Sequence, residues 1–438
     1  MNNQYSIFSR RCFINNKLIP ATIFVEDGKI SNIKYEQYSG AANYGNNIIM
    51  PGVIDIHVHV NEPGRTDWEG FETATKAAAK GGVTTIVDMP LNSSPVTVSE
   101  ESFNQKLEAS KGKLNVNCGF YGGLVPGKLN YLIGLMDKGI LGVKCFLTHS
   151  GIDEFPNVTE KDLEEAMPII KLYGLPLLVH CELSKENSFT EPHSYKKYLQ
   201  SRPDDWETSA IKLMVNLCRK YKCHVHIVHV SSAQSLPLIR AAKAEGLPLT
   251  AETCPHYIYF SAEEIPDGQP VFKCAPPIRS KNNNDALKQA LVDGTLDLIA
   301  SDHSPAPPSI KMISEKNLAK AWGGIAGLQF LLNASYSAMR DLLPIEKFIP
   351  LLTSHPAKIL GIESKGVLSE GADADIVIWN DEENTFVTEE TIMHKYSASP
   401  FNNCNFSGRI LCSIVNGEVV YENGNFLNFN KGKWLMKK

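Results

Sequence analysis

The sequence predicts a (β/α)₈ barrel, or TIM barrel, together with a small β-sandwich domain that both ends of the chain build. Two observations indicate this fold class. In the middle of the chain, eight short apolar runs alternate with helix-like segments, as in a parallel sheet with crossover helices. At both ends, short strand patterns lie next to turn signals. We expect residues 1–50 and 366–438 to form the small β domain and residues 51–365 to form the barrel.

The two ends of the chain carry similar β patterns. Strands are predicted at 5–15, 21–25 and 29–35, with an Asp27-Gly28 turn before the third. Further strands are predicted at 375–379, 410–416 and 418–421, the last two joined by an Asn416-Gly417 turn. We expect the two sets to pair into one small domain, although β patterns alone do not indicate which strands pair.

The middle of the chain contains the eight apolar runs that would form the barrel strands. They lie at 52–60, 82–89, 116–124, 142–147, 175–182, 224–231, 247–254 and 296–302. Helix-like segments between them include 68–80, 160–173, 207–221 and 233–245. A doubly wound open sheet is the alternative, but the sequence lacks the glycine-rich nucleotide fingerprint of that fold.

Composition narrows the classes of function. The 438 residues are 43% hydrophobic and 21% charged, which is typical of globular proteins. The net charge of -5 leaves no basic surface for nucleic acid or an anionic membrane, so we expect neither partner. Ten cysteines without a CxxC pair indicate reduced thiols and a cytoplasmic protein. The first residues lack the apolar segment of a signal peptide, and no apolar run approaches a membrane-spanning length.

Polar side chains lie at the carboxyl ends of the apolar runs, where barrel enzymes place their active sites. His57 and His59 end the first run and share one face of the strand, so both imidazoles can bind one metal ion. They could also be ordinary strand histidines. His180, His229 and Asp302 lie at the ends of the fifth, sixth and eighth runs. Burying these groups unpaired would cost several kcal/mol, so we predict a metal site.

The sixth run contains three histidines and leaves a choice open. His224 and His226 share one face of a regular strand, whereas His229 has the opposite parity. If His229 faces the barrel interior, His226 must face the helices, and spacing alone does not choose between them. His303 has the opposite parity to Asp302, so we expect it to be structural or to lie behind the ligands.

Lys144 lies inside the apolar run GVKCFL, where an ammonium group is costly to bury. It could extend its charged end to solvent or pair with a carboxylate. Alternatively, a desolvated lysine beside cations can react with carbon dioxide to form a carbamate, an anionic ligand that can bridge two metal ions. Residue chemistry alone favours the first interpretation.

Several ordered strings between residues 51 and 329 resemble the cyclic-amidase branch of the amidohydrolase superfamily. That branch holds dihydroorotases, dihydropyrimidinases, hydantoinases and allantoinases, and the sequence is most similar to the allantoinases. The strings are PGVIDIHVHVNEPGRTDWEGFETATKAAAKGGVTTIVDMPLN, GVKCFLTHSGIDEFP, LLVHCE, HIVHVSSA, AETCPHYI, KCAPPIR, SDHSPAP and AWGGIAGLQ.

The resemblance implies a site for two divalent metal ions, with zinc favoured and manganese, cobalt or iron as alternatives. One ion would be held by His57, His59 and Asp302, and the other by His180 and His229. Lys144, as a carbamate, would bridge them, and this implication reverses the interpretation from residue chemistry alone. The resemblance also implies a homotetramer.

The implied reaction is hydrolysis of the cyclic amide of allantoin, a small-molecule substrate, to allantoate, a step in purine and ureide breakdown. A hydroxide bridging the two ions would attack, and Asp302 would carry its proton to the leaving ring nitrogen.

Two departures from the patterns of related subfamilies favour this reaction. Dihydroorotases carry Arg where this chain has Asn61, and hydantoinases carry Tyr where it has His149. An uncharged amide suits an uncharged ring, although Asn61 could equally be a loop amide that satisfies backbone groups.

Candidate substrate contacts lie in the loops after the strands. They are Asn61, Asn92, His149, His256, Cys274, Ser304 and Gly323.

Two other interpretations of the function remain. One is a hydantoinase or dihydropyrimidinase, or less favoured a dihydroorotase; the other is a non-catalytic scaffold of the same fold, which is disfavoured because all six ligand positions are filled.

Overall fold

The N-terminal part of the chain is a β structure in which the first three strands pair antiparallel and the fourth and fifth pair parallel with the first. The computed structural model describes residues 4–185, 189 and 191–437. The first five strands are β1 (Gln4–Ile14), β2 (Lys17–Glu26), β3 (Lys29–Lys34), β4 (Ala42–Asn43) and β5 (Ile48–Pro51). The turn between β2 and β3 has positive φ at Asp27 and Gly28, as a two-residue hairpin with the strand twist requires.

The middle of the chain forms the barrel that the sequence predicts. Its parallel strands are β6 (Val53–Val58), β7 (Val83–Asp88), β8 (Asn117–Phe120), β9 (Gly122–Gly123), β10 (Val143–Phe146), β11 (Leu177–His180), β12 (Val225–Ile227), β13 (Leu249–Thr253) and β14 (Leu298–Ile299). The third predicted strand is split into β8 and β9. The last strand region returns to the first, since a parallel bridge joins Val58 to His303 and the His59 N–H donates to the His303 carbonyl at 2.8 Å.

The helices lie around the barrel strands. They are α1 (Phe71–Lys80), α2 (Glu100–Ser110), α3 (Leu129–Asp137), α4 (Glu160–Leu172), α5 (Tyr195–Gln200), α6 (Asp204–Tyr221), α7 (Leu236–Ala244), α8 (Pro255–Tyr259), α9 (Lys281–Val292), α10 (Leu331–Met339), α11 (Ile345–Phe348) and α12 (Ser354–Leu360). Local signals explain where they begin. Thr159 accepts from the Asp162 N–H before α4, and the Asp162 carboxylate accepts from the Thr159 N–H in return. Among the described helices, none has both the length and the apolar character needed to cross a membrane.

The C-terminal part completes the sheet that the N-terminal strands begin. Its strands are β15 (Ile376–Phe386), β16 (Asn405–Val415), β17 (Glu418–Glu422), β18 (Asn425–Phe426) and β19 (Trp434–Leu435). β15 pairs antiparallel with β5, which gives the order β18-β17-β16-β15-β5-β1-β2-β3. Strands from both ends therefore share one sheet around an apolar cluster. The division of the chain into domains at residues 50 and 366 stays a prediction.

β19 does not belong to the sheet that the chain ends share. Trp434 and Leu435 pair in parallel with Cys118 and Gly119 of β8. The Trp434 indole N–H also donates to the Ser110 hydroxyl at 2.8 Å, at the end of α2. The last segment of the chain thus returns to the barrel. Two residues are too short a β pattern for the sequence to predict this contact.

Candidate active site at the carboxyl ends of the barrel strands

The six residues that the sequence predicts as metal ligands line one cavity of about 360 Å³. Each comes from the carboxyl end of a barrel strand or from the residues that follow it. They are His57, His59, Lys144, His180, His229 and Asp302. All six are buried. Parallel strands bring their carboxyl ends to the same rim of a barrel, so residues far apart in the chain meet there.

Asp302 lies at the centre of this group. One Asp302 oxygen lies 3.1 Å from His57 Nε2 and 3.6 Å from His59 Nε2. The possible ligand atoms of His57, His229 and Asp302 lie within 4.8 Å of one another. The imidazoles of His180 and His229 are also adjacent, with ring centres 4.6 Å apart. Imidazole nitrogens and a carboxylate converging at this range are a donor set that fits a divalent metal ion.

The backbone around the site explains how these side chains reach it. His229 and Asp302 both have left-handed backbone conformations, with φ of 41° and 46°. Such conformations cost roughly 1–3 kcal/mol for residues other than glycine and concentrate at functional sites. They also break the alternation of a regular strand, so each side chain points where the strand itself would not direct it.

The expectation that His226 faces the helices if His229 faces inward is wrong. β12 ends at Ile227, and the positive φ of His229 breaks the parity that the expectation assumed. His226 Nε2 lies 3.0 Å from Glu252 Oε2, and the other oxygen of Glu252 lies 2.5 Å from His57 Nδ1. Both His226 and His229 therefore belong to the site region. His229 lines the cavity, and His226 lies behind it.

Lys144 is fully buried, and its Nζ has no hydrogen-bond partner in the residues described. Burial lowers the pKa of Lys144 to about 8. In the part of the chain that the structure describes, Lys144 forms no ion pair with a carboxylate, although the more distant charges of Asp302 and Glu252 partly offset the effect of burial on its pKa. The ring centre of Phe146 lies 4.9 Å from Lys144 Nζ. A buried amine without a hydrogen-bond partner is unfavourable. Conversion of the Lys144 amine to a carbamate would give an anionic group that can bind metal ions.

Two buried glutamates that the sequence analysis did not select hold two of the histidines predicted as metal ligands. Glu252 contacts His57 as described above, and Glu182 Oε2 lies 2.8 Å from His180 Nε2. Arg202 forms a close ion pair with Glu182. Burial opposes the charge of Glu182, but Arg202 and His180 hold its pKa at about 2. The sequence did contain a signal for these two glutamates. An acidic residue inside an apolar run, as in LLVHCE and LTAETC, needs a buried partner.

The structure brings four of the seven candidate substrate contacts to the cavity. These four are Asn92, His149, Ser304 and Gly323. Asn92 also lies 3.2 Å from His59 Nδ1 through its side-chain nitrogen. Ser304 accepts a hydrogen bond from the Trp322 indole at 3.3 Å. The His149 ring is the most exposed of the group and contacts Asp153 at 3.2 Å.

The other three candidates lie behind the cavity wall. Asn61 is fully buried, has a φ of 68°, and donates its side-chain N–H to the Pro305 carbonyl at 3.2 Å. This contact fits the loop-amide interpretation. Cys274 is buried, and its carbonyl accepts from the Tyr198 hydroxyl at 2.6 Å. The Asn61 side-chain N–H and the Cys274 carbonyl are thus already used inside the protein.

His256 is buried beside Asp302, and neither ring nitrogen has a hydrogen-bond partner in the described residues. Burial lowers its pKa to about 4. Its ring nitrogens, the Cys254 sulfur and an Asp302 oxygen lie within 4.8 Å of one another. His303, in contrast, is structural as expected, because its Nδ1 accepts from the Gly327 N–H at 3.2 Å.

The cavity wall also contains residues that the sequence analysis did not select as candidates. Among them are Tyr198, Arg202, Lys273, Lys320 and Trp322. Burial lowers the pKa of Lys273 to about 8. Lys273 and Trp322 lie in the strings KCAPPIR and AWGGIAGLQ, but the other three lie outside every quoted string, and none of the five lies at a strand end.

Comparisons with known proteins agree with this geometry. The model of the amidohydrolase family matches residues 48–420. An allantoinase of Arabidopsis thaliana is 41% identical over 450 residues, covering 97% of this chain and 89% of that protein. A mitochondrial allantoinase of Aquarana catesbeiana is 45% identical over 373 residues, covering 83% of this chain and 76% of that protein. The solved structure of L-hydantoinase from Arthrobacter aurescens superposes with a TM-score of 0.91 at 28% identity, covering 99% of this chain and all of that one.

The fold and the comparisons define the protein as an α/β-barrel hydrolase that acts on cyclic amides, of a metal-dependent family. Histidines and an aspartate lie close enough together to hold a metal ion. The chain belongs to the amidohydrolase family, in the group that the allantoinases form.

Proposed function

We propose that this protein hydrolyses the cyclic amide of allantoin and opens the five-membered ring to give allantoate. The observation that carries the proposal is the convergence of His57, His59, His180, His229 and Lys144 around Asp302 in one cavity. The strong similarity to allantoinases over nearly the whole chain supports allantoin as the substrate.

We infer that the site holds two divalent metal ions, with zinc favoured over manganese, cobalt or iron. His57, His59 and Asp302 would hold one ion, and His180 and His229 the other. Lys144 would bridge them as a carbamate, which the unpaired burial of its Nζ supports. When bound, the ions supply Lewis acidity, which polarises a carbonyl group and lowers the pKa of water so that it attacks near neutral pH.

Asp302 is the residue placed to move the proton. Burial opposes its ionisation, but the neighbouring His57, His59 and His229 hold the pKa of Asp302 well below its usual value. The carboxylate is therefore ionised and can accept a proton from the attacking water. It then delivers this proton to the leaving ring nitrogen, so this nitrogen leaves as a neutral ureido group.

The chain's own groups would recognise an uncharged ring. Asn92, His149 and Ser304 offer polar side chains at the cavity, and Gly323 lets the main chain approach closely. The N–H groups of Ala275 and Gly323 have no hydrogen-bond partner within the described ranges, and both residues line the cavity. Free main-chain amides of this kind can read the carbonyl groups of a hydantoin ring. Asn61 and Cys274 would act from behind, by holding the loops that carry these groups. His256 has no hydrogen-bond partner in the described residues, so it would not hold a loop.

We also infer a cytoplasmic homotetramer. All ten cysteines are free thiols in the structure, which fits a reducing compartment. Light scattering of the purified protein should give a mass of four 48.4 kDa chains. A monomer or dimer would contradict the tetramer, and co-purification of the activity with mitochondria would contradict the location.

The first experiment compares allantoin, hydantoin, dihydrouracil and dihydroorotate as substrates of the metal-loaded protein, beside a chelated control. Turnover confined to allantoin and lost on chelation is the expected result. Preference for hydantoin or dihydrouracil would assign the hydantoinase or dihydropyrimidinase activity instead, which the superposition on L-hydantoinase makes the second candidate. Absence of turnover with metal bound would favour a non-catalytic scaffold.

A further inference from the structure

Two lysines outside the predicted metal ligands, the buried Lys311 and the partly buried Lys273, connect two segments of the cavity wall. Lys311 Nζ donates to the Lys273 carbonyl at 2.7 Å, to the Trp322 carbonyl at 3.1 Å and to the Gly324 carbonyl. Lys273 Nζ in turn donates to the carbonyls of Ala321 at 2.6 Å and Ala319 at 3.3 Å. Each lysine thus reaches from its own segment to the main chain of the other.

Neither lysine is part of an ion pair in the ranges that the structure describes. Lys311 is 3% exposed, and main-chain carbonyls take all of its hydrogen bonds. Burial lowers the pKa of Lys311 to about 7. Burying an ammonium group without a carboxylate is costly, so a lysine at this position needs a reason beyond the filling of space.

Each connected segment carries a cavity-lining main-chain amide that has no hydrogen-bond partner in the described residues, at Ala275 in one and at Gly323 in the other. Gly323 lies between the Trp322 and Gly324 carbonyls that Lys311 holds, and Ala275 follows the third, that of Lys273, by two residues. A methyl group added to Gly323 would lie 3.6 Å from the Ala275 Cβ, so the two segments abut at this point. Residues 304–324 contain neither a helix nor a strand. A long segment without regular structure needs specific contacts to hold one conformation.

We propose that Lys311 and Lys273 are positioning residues that together hold the main chain of residues 273–275 and 322–324 in the conformation that binds the cyclic amide. This inference rests on the proposed function only for its kinetic test. The two lysines do not supply a proton or a metal ligand. They fix the distance between two groups of main-chain amides, and so they act on substrate binding through those amides.

The first test measures kinetics and metal content of Lys311→Met, which removes the charge and keeps the length of the side chain. We expect KM to rise about tenfold or more, because donors to carbonyls that hold the binding surface are lost. The bound metal should stay unchanged, and kcat should fall less than KM rises. Lys311→Arg, which keeps a donor, should recover part of the affinity. Lys316→Met is the matched control, since Lys316 is exposed on the same segment and its Nζ contacts no acceptor there.

The second test needs no substrate. Hydrogen exchange of the amides of residues 312–324 should become at least about tenfold faster in Lys311→Met and unchanged in Lys316→Met. If Lys311→Met does not fold, the same measurements are made on Lys273→Met. Because both lysines hold the same contact, the increase in exchange in the double variant, expressed as a free energy, should be smaller than the sum of the increases in the two single variants.

Unchanged KM together with unchanged exchange would overturn the proposal. Loss of metal and kcat in parallel at unchanged KM would also overturn it, since that result assigns the lysines to the metal centre. If the native protein hydrolyses none of the four rings, the proposed function fails, whereas the exchange result still decides whether the lysines hold the two segments.

Discussion

His57 Nδ1 and Glu252 Oε1 lie 2.5 Å apart, and the other oxygen of Glu252 lies 3.0 Å from His226 Nε2. This carboxylate fixes the His57 ring so that Nε2 faces Asp302. Burial opposes the charge of Glu252, but the two histidines hold its pKa at about 2. A buried anion behind a metal-ligand histidine sets the orientation of the ring and makes its free nitrogen a better ligand.

Glu252→Gln should lower the affinity for metal by about 10- to 100-fold, because the His57 ring loses its charged partner. Titration against a competing chelator measures this affinity directly, without reference to turnover. Glu315→Gln, on an exposed turn, is the control and should bind metal as the native protein does. Equal affinities in the two variants would show that Glu252 serves only to fill the barrel interior.

Asp302→Asn should reduce kcat/KM by at least about 10²- to 10⁴-fold, because an amide cannot accept the proton of the attacking water. Turnover measured at saturating metal separates this loss from weaker metal binding. Asp341→Asn, at an exposed site, should leave turnover unchanged. Near-native activity of Asp302→Asn would remove Asp302 from the role of proton carrier.

Lys144→Ala should lose bound metal, because the proposed bridging ligand is gone. A small carboxylic acid at high concentration should restore part of the metal content and activity by filling the space left by the side chain. Lys144→Met is the matched control, since it occupies that space and should not respond to the acid. The carbamate assignment would fail if Lys144→Ala kept its full metal content, as measured by elemental analysis.

Lys365→Met should destabilise the protein by about 3–5 kcal/mol, because it leaves the buried Asp375 carboxylate without its charged partner. Lys365 is 3% exposed and contacts both Asp373 and Asp375. Asp375 also accepts from the Asn117 side chain at 3.0 Å, which connects the sheet of the chain ends to β8 of the barrel. Urea unfolding measures the change.

Lys358→Met, at an exposed position of α12, is the control for this stability experiment. Its free energy of unfolding should differ from the native value by less than about 0.5 kcal/mol. Equal stabilities of the two variants would show that the Lys365 ion pairs contribute nothing net across this junction.

Element positions were predictable because they depend on local pattern. Each of the eight predicted apolar runs contains a strand, and α4 was predicted at 160–173 and ends at Leu172. The ends of the runs were less predictable. The sixth run was expected to reach residue 231, but β12 ends at Ile227 because His229 adopts a left-handed conformation.

The barrel and the candidate ligands at the strand ends were predictable from neighbouring residues, because alternation along a strand and apolar runs are local properties. The resemblance of the ordered strings implied the class of reaction. The folded structure was needed to place both His226 and His229 in the site region and Glu252 against His57. It was also needed to show that Lys311 and Lys273 connect two loops. These contacts depend on left-handed backbone at single residues and on buried partners distant in the chain, and neither leaves a periodic signal in the sequence.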